Sequence, residues 1–295
     1  MNDNIFSGLE KLGFNDIINV DLYNDIKTKK EKSSDNSKKI SKQGSYLYNK
    51  EIICPVCNTA FKAKAVKTSS YRVLSRDTDF FTRYAVINPY FYDIWLCNSC
   101  GYASMKVDFF KIKSYKINEI KTSITSKWKP REYPEVYDVD IAIERYKLAL
   151  LNYYVIESVA SKKAMACLKI AWMYRLKNDS KNELIFLGHA LTGIEEAFFK
   201  EDFPIYGMDR YTTMYLIGEL NHKLSNYDKA LLWFSKVIVQ PGVKYKIKEL
   251  ARDQREYIKL NYLSENKIES KENENEKSTK DHSISKKNFI NKFFK

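Results

Sequence analysis

The chain has 295 residues, 44% of them apolar, with five cysteines and a formal net charge of +13. That length allows two ordinary domains and that composition a buried core, which excludes a wholly disordered chain. No stretch approaches the roughly 20 apolar residues of a membrane span, and no basic head leads into an apolar run near the start, so a cytoplasmic location is expected.

Residues 1–25 include "IFSGLEKLGFNDIINVDLY", with Ile5, Leu9 and Leu12 at helical spacing. The stretch is too short to be stable alone, so it reads as a docking segment. Residues 26–46 begin "IKTKKEKSSDNSKKISKQ" and hold too few apolar side chains to offset the entropy of ordering; they read as a disordered linker.

Residues 47–110 read as a small β module built on "CPVC" and "CNSC", which use four of the five cysteines. A Cys-x-x-Cys turn offers two thiolates to one ion if the chain bends sharply after the second cysteine. Asn58 follows Cys57 and Gly101 follows Cys100, the two residue types that most readily accept positive φ, and Pro55 pre-sets φ in the first turn. Strand alternation flanks both pairs. "AFKAKAV" sets Phe61, Ala63 and Ala65 against Lys62 and Lys64, and "YDIWLC" sets Tyr92, Ile94 and Leu96 against Asp93 and Trp95. The pattern is that of a zinc ribbon, with Cys54, Cys57, Cys97 and Cys100 holding one structural zinc per chain. A redox pair, an iron–sulfur cluster and no metal at all are the alternatives; a closed four-cysteine site leaves no position for a substrate water. Replacing Cys97 by serine is expected to unfold residues 50–110 and leave the helical half intact.

The 39 residues between Cys57 and Cys97 exceed the about 15–20 of a minimal ribbon, so this loop should have structure of its own. It holds Asp77 and Asp79 among Arg72, Arg76 and Arg83. These could form a catalytic or anion-binding cluster; the simpler reading is aspartates that cap a turn and pair with the arginines.

Beyond residue 110 the apolar period changes to that of helices, and residues 111–262 read as antiparallel helix hairpins. "YDVDIAIERYKLALLNYYVIES" follows Asp138 or Asp140 as an N-cap, "KKAMACLKIAWMYRLKND" carries Ala164, Cys167, Leu168 and Ala171 on one stripe, and further helices are expected near 181–200, 209–224, 227–239 and 246–261. Ala142, Tyr146 and Ala149 recur as Ala190, Ile194 and Ala197, and as Ala230, Phe234 and Val237. Offsets of four and seven match the small–large–small positions of a tetratricopeptide repeat, and Gly218, Tyr227, Ala230 and Phe234 complete the last copy. Copies 48 and 40 residues apart make the array tetratricopeptide-like rather than regular. Cys167 reads as core packing, and His189, His222 and His282 offer no catalytic arrangement. Residues 263–295 read as a disordered tail that closes with Phe289, Ile290, Phe293 and Phe294 among lysines, a possible basic amphipathic contact.

The order "CPVC", "FKAKAVK", "RDTDF", "NPYFYDIWLCNSCGYA", "EYPEVYDVDIAIERYKLALL", "KEDFPIYGMDRYTTMYLIGEL" and "YDKALLWFSKVI" resembles the bacterial domain-of-unknown-function family 2225. The resemblance implies a paired-cysteine N-terminal half and tetratricopeptide-like helices, and it supplies no substrate.

The fold class expected is therefore α+β, mainly α: a zinc-ribbon-like module followed by helix hairpins. The function expected is that of a zinc-binding adaptor whose array takes an unknown protein or peptide partner. The alternative is a nucleic-acid-associated regulator that uses residues 54–136, where 14 basic side chains face 7 acidic ones; such binding must weaken steeply with salt. An enzyme centred on Asp77 and Asp79 ranks last, because no open metal site, phosphate loop or nucleophile–base pair accompanies them.

Overall fold

A computed structural model describes residues 5–14, 22 and 43–261. Most of the expected linker and the whole expected tail, with His282, lie outside the described residues. What is described is mainly helical, with small antiparallel sheets in the N-terminal half.

Three hairpins make up the β region. β1 (Leu47–Ile53) pairs with β2 (Ala60–Val66), from Leu47 opposite Val66 to Ile53 opposite Ala60. β3 (Val73–Arg76) pairs with β4 (Thr82–Tyr84) across a register shift at Leu74, and β5 (Ile94–Leu96) pairs with β6 (Ala103–Met105). Each cysteine pair thus forms the turn of a hairpin, and β3–β4 is the structure inside the long loop. The alternation expected from Tyr92 to Leu96 is not the one found. Tyr92 closes a 3-10 turn (Pro89–Tyr92) that starts at the Asn88 cap, and Asp93 and Trp95 are buried with their neighbours. The reason is cover on both faces: Trp95 lies under Phe109 and Phe110, while Asp93 meets Lys106 and Lys169.

The helices follow their caps. α1 (Ile117–Ile120) runs into a π turn (Lys121–Thr125). Then come α2 (Val139–Val155), α3 (Ala160–Leu176), α4 (Ser180–Lys200), α5 (Arg210–Lys223), α6 (Tyr227–Val239) and α7, described over 245–261. Asp138, Asp179 and Asp209 accept from the amides of Ile141, Asn182 and Thr212, satisfying donors that a helix start leaves open. Asn178 and Ser225 take φ of +56° and +60° in the short turns that fold α4 back on α3 and α6 on α5. All nine residues of the three small–large–small triplets are buried.

Gly218 of α5 shows why one helix can approach the next. A Cβ there would lie 2.8 Å from the Phe234 ring of α6. Alanine normally gains about 1 kcal/mol over glycine inside a helix, whereas overpacking a filled site costs about 1–3 kcal/mol. Gly218→Ala should therefore lower the urea midpoint; a raised midpoint would mean that the α5–α6 contact yields freely.

Two segments bind the halves together. Ile5, Phe6, Leu9, Leu12 and Phe14 are buried in the same core as the cysteines and the helices. Lys129 donates its amide to the Leu12 carbonyl, and the Lys147 ammonium donates to that of Ser7, so this segment docks on its own fold. On the helical side, the β3–β4 turn (77–81) lies across α3 and α5: Phe81 stacks on Trp172, Phe80 meets Tyr215, and the Tyr215 hydroxyl donates to the Thr78 carbonyl.

Candidate metal centre

The two cysteine turns repeat the same hydrogen bonds. Cys54 donates its amide to Thr59 and accepts from Asn58; Cys97 donates to Tyr102 and accepts from Gly101, at 2.8–3.0 Å. Asn58 and Gly101 take φ of +59° and +76°, the bend that returns the chain to its second strand. All four Sγ atoms lie within 4.8 Å of one another, with Cys54 to Cys100 at 3.7 Å and Cys57 to Cys97 at 3.6 Å. None is in a disulfide. A tetrahedron with metal–sulfur bonds of about 2.3 Å has edges of about 3.8 Å, so the cluster can close around one ion with small adjustments.

The electrostatics point the same way. The thiols of Cys100 and then Cys54 hold Cys97 well below the ordinary thiol range, helped by the amides of Cys100 and Ser99. Cys100 in turn is pushed up by Cys54 and Cys97 and by burial. Cys100 favours ionisation of Cys54, but Cys97 and burial outweigh it and push Cys54 up as well. One thiolate is stabilised by its neighbours, and further charge on Cys54 or Cys100 is opposed. A bound cation removes that opposition.

The loop aspartates have a different setting. Asp77 takes a two-pronged contact from Arg83 at 2.8 and 2.9 Å, the pairing the sequence suggested. A second partner is Arg175 on α3, which the sequence reading missed. Its guanidinium reaches Asp77 at 2.9 Å, Asp79 at 2.6 and 3.1 Å and Glu183 at 2.7 Å, and the Trp172 indole adds a donor to Asp79. Burial alone would raise the Asp77 pKa, but Arg83 and Arg175 outweigh it and hold the carboxyl below its usual range. Arg72 and Arg76 stay outside this network. Asp79 is wholly buried, and the cluster acts as a pin between hairpin and helix.

Cys167 is fully buried and its thiol is pushed up by burial, as core packing requires. His222 lies 3.7 Å from Glu219 on α5. A hollow of about 400 Å³ sits between Asp108, Lys111, Ser161, Lys162, Glu201 and Tyr206. Its polar groups are turned on one another: Asp108 accepts from Tyr153 and Tyr206, and Glu201 holds the amide and hydroxyl of Ser161. No helix among the described residues is long and apolar enough to cross a membrane.

Residues 47–258 match the family model described as "Uncharacterized protein conserved in bacteria (DUF2225)". An uncharacterized protein of Borreliella burgdorferi is 27% identical over 167 residues, covering 48% of this chain and 58% of that protein. The chain thus spans little more than half the length of this curated relative. No solved structure matches.

Proposed function

The chain belongs to the bacterial family DUF2225, and on that footing we propose that it is a cytoplasmic scaffold, stapled by one structural zinc, that presents a tetratricopeptide-like array to a protein partner. For the metal, the support is a site made of four sulfurs and nothing else. Cys57 alone among them is partly exposed, so the site is closed and offers no position for substrate. Zinc suits such a site without adding redox chemistry. The reading of the helices as tetratricopeptide-like rests on the buried triplets of α2, α4 and α6 and on the contact of Gly218 with Phe234.

The observation that carries the adaptor reading is the uncovered stripe of α6. The inner face of α3 and α5 is filled by this chain's own residues 77–81. On α6, however, Lys229, Leu232, Lys236 and Val239 fall on one helical face, all exposed, with Leu232 at 54% and Val239 at 71%. Apolar and basic side chains in alternation suit an amphipathic partner helix that carries acidic residues. Affinity capture from the native host, with metal content measured in the same preparation, tests both parts. The double variant Leu232→Asp, Val239→Asp should lose the captured protein while retaining one zinc. Capture unchanged by the variant would remove this face from the reading, and iron in place of zinc would return the cysteines to redox chemistry.

A further inference from the structure

The second cysteine turn and the N-terminal segment both grip one strap, residues 121–131. On the metal side, the Thr125 hydroxyl donates to the Cys100 carbonyl at 2.9 Å, and the Trp128 indole donates to the Asn98 carbonyl at 2.7 Å. The Arg131 amide donates to the Asn98 side chain at 3.0 Å. Gly101 lies against the Trp128 ring so closely that a Cβ would stand 2.8 Å from it. Toward the N-terminal segment, the Lys129 amide donates to the Leu12 carbonyl at 3.1 Å, and Phe14 meets the same Trp128 ring at 6.4 Å. Gly13, at φ +101°, is pressed on the Lys127 carbonyl, where a Cβ would collide at 1.8 Å. Trp128 therefore touches both the metal turn and the docked segment.

We propose that metal binding at Cys97 and Cys100 latches the N-terminal segment, so that occupancy of the metal centre and docking of residues 5–14 form one coupled equilibrium. This rests on the metal-binding reading above. Three of the strap's four anchors on the metal side are backbone groups of residues 98, 100 and 101, whose positions follow from the turn that holds Cys97 and Cys100 on one ion. When the ion leaves, that turn keeps its backbone bonds from Cys97 to Tyr102 and from Gly101 to Cys97 but loses the link that fixes Cys97 and Cys100 against Cys54 and Cys57, and the strap's bearing loosens. The carbonyl of Lys127 and the amide of Lys129, which seat Gly13 and Leu12, move with it. Coupling of this kind is reciprocal: undocking the segment must weaken metal binding by the same factor by which metal strengthens docking.

The test uses the full chain, with zinc as the probe. Hydrogen exchange is followed in peptides covering 5–14 and 121–131, and zinc affinity is measured by competition with a chromophoric chelator. Stripping zinc should raise exchange in both peptides together. Gly13→Ala should raise exchange in 5–14 with zinc still bound, and should weaken zinc binding about tenfold, a usual size for such coupling. Phe14→Ala, which removes the ring contact without a backbone collision, should do the same to a smaller extent. If stripping raises exchange throughout the chain, the affinity of the two variants decides. Zinc affinity unchanged in a variant whose segment has undocked would overturn the latch, as would unchanged exchange in 5–14 after zinc is removed. A chain that binds no zinc fails the metal reading and the latch together; bound zinc with an independent segment fails the latch alone.

Discussion

Replacing Arg175 with methionine should destabilise the protein by about 3–5 kcal/mol, read as a drop in the urea midpoint with little change in slope. The size follows from what stays behind. Asp77, Asp79 and Glu183 all take hydrogen bonds from this one guanidinium, and Asp79 has no exposure to water. Removing the cation strands at least one buried carboxylate, which costs far more than an exposed ion pair contributes. The acid limb should change too. Asp77 has a folded pKa below its ordinary value, so its contribution is complete above the usual carboxylate range and is lost as pH falls through the lowered value. In Arg175→Met that depression shrinks, and stability should fall off less steeply at low pH. Pairing Arg175→Met with Asp79→Asn should recover part of the loss, because the two side chains are in contact. A midpoint near that of the unaltered protein would show that the hairpin does not depend on this pin.

Cys97→Ser should abolish the native fold of both halves rather than of the cysteine module alone. A structural zinc contributes on the order of 10 kcal/mol or more, comparable with the whole stability of an ordinary domain. Damage should spread because the helices reach into the module. Arg145 donates to the Ile94 carbonyl, Tyr146 to that of Tyr90, the Tyr153 hydroxyl accepts from Met105, and Lys169 pairs with Asp93. Losing the module leaves these buried groups without partners. The expectation from sequence, that the helical half stays intact, therefore changes: the helical circular dichroism signal and protease resistance of α2 and α3 should fall together with residues 47–110. Helices that unfold at the native temperature while the module is already digested would point to two independent units.

The clustering of Cys54, Cys57, Cys97 and Cys100 was legible because its signal is local. Two Cys-x-x-Cys turns followed by Asn58 and Gly101 carry ligand chemistry and backbone conformation within a few residues. The start of α2 was legible for the same reason, since Asp138 sits where a cap must sit; Asp179 and Asp209 cap α4 and α5 in the same way. Local patterns fail where a partner comes from elsewhere. Arg175 lies 96 residues from Asp79, and no spacing rule joins them. Asp93 reads as the solvent side of a strand only until Lys169 and Lys106 are in view. The N-terminal segment shows helical spacing, yet among its described residues the helical element is a single 3-10 turn, Glu10–Leu12; its apolar residues serve a seat on distant residues rather than a helix stripe.

That seat also bears on how the chain is made. Ser7 and Leu12 are held by Lys147 and Lys129, so the segment leaves the ribosome well over a hundred residues before its binding surface exists. At about 5–20 residues per second, Ile5, Phe6, Leu9, Leu12 and Phe14 spend several seconds in water with nothing to cover them. The β3–β4 hairpin waits in the same way for Arg175 and Glu219. Contacts so distant along the chain slow folding, and a long exposed interval is the condition in which nascent chains recruit chaperones. Synthesis of this protein should therefore lean on the holding capacity of the cell more than its modest size suggests.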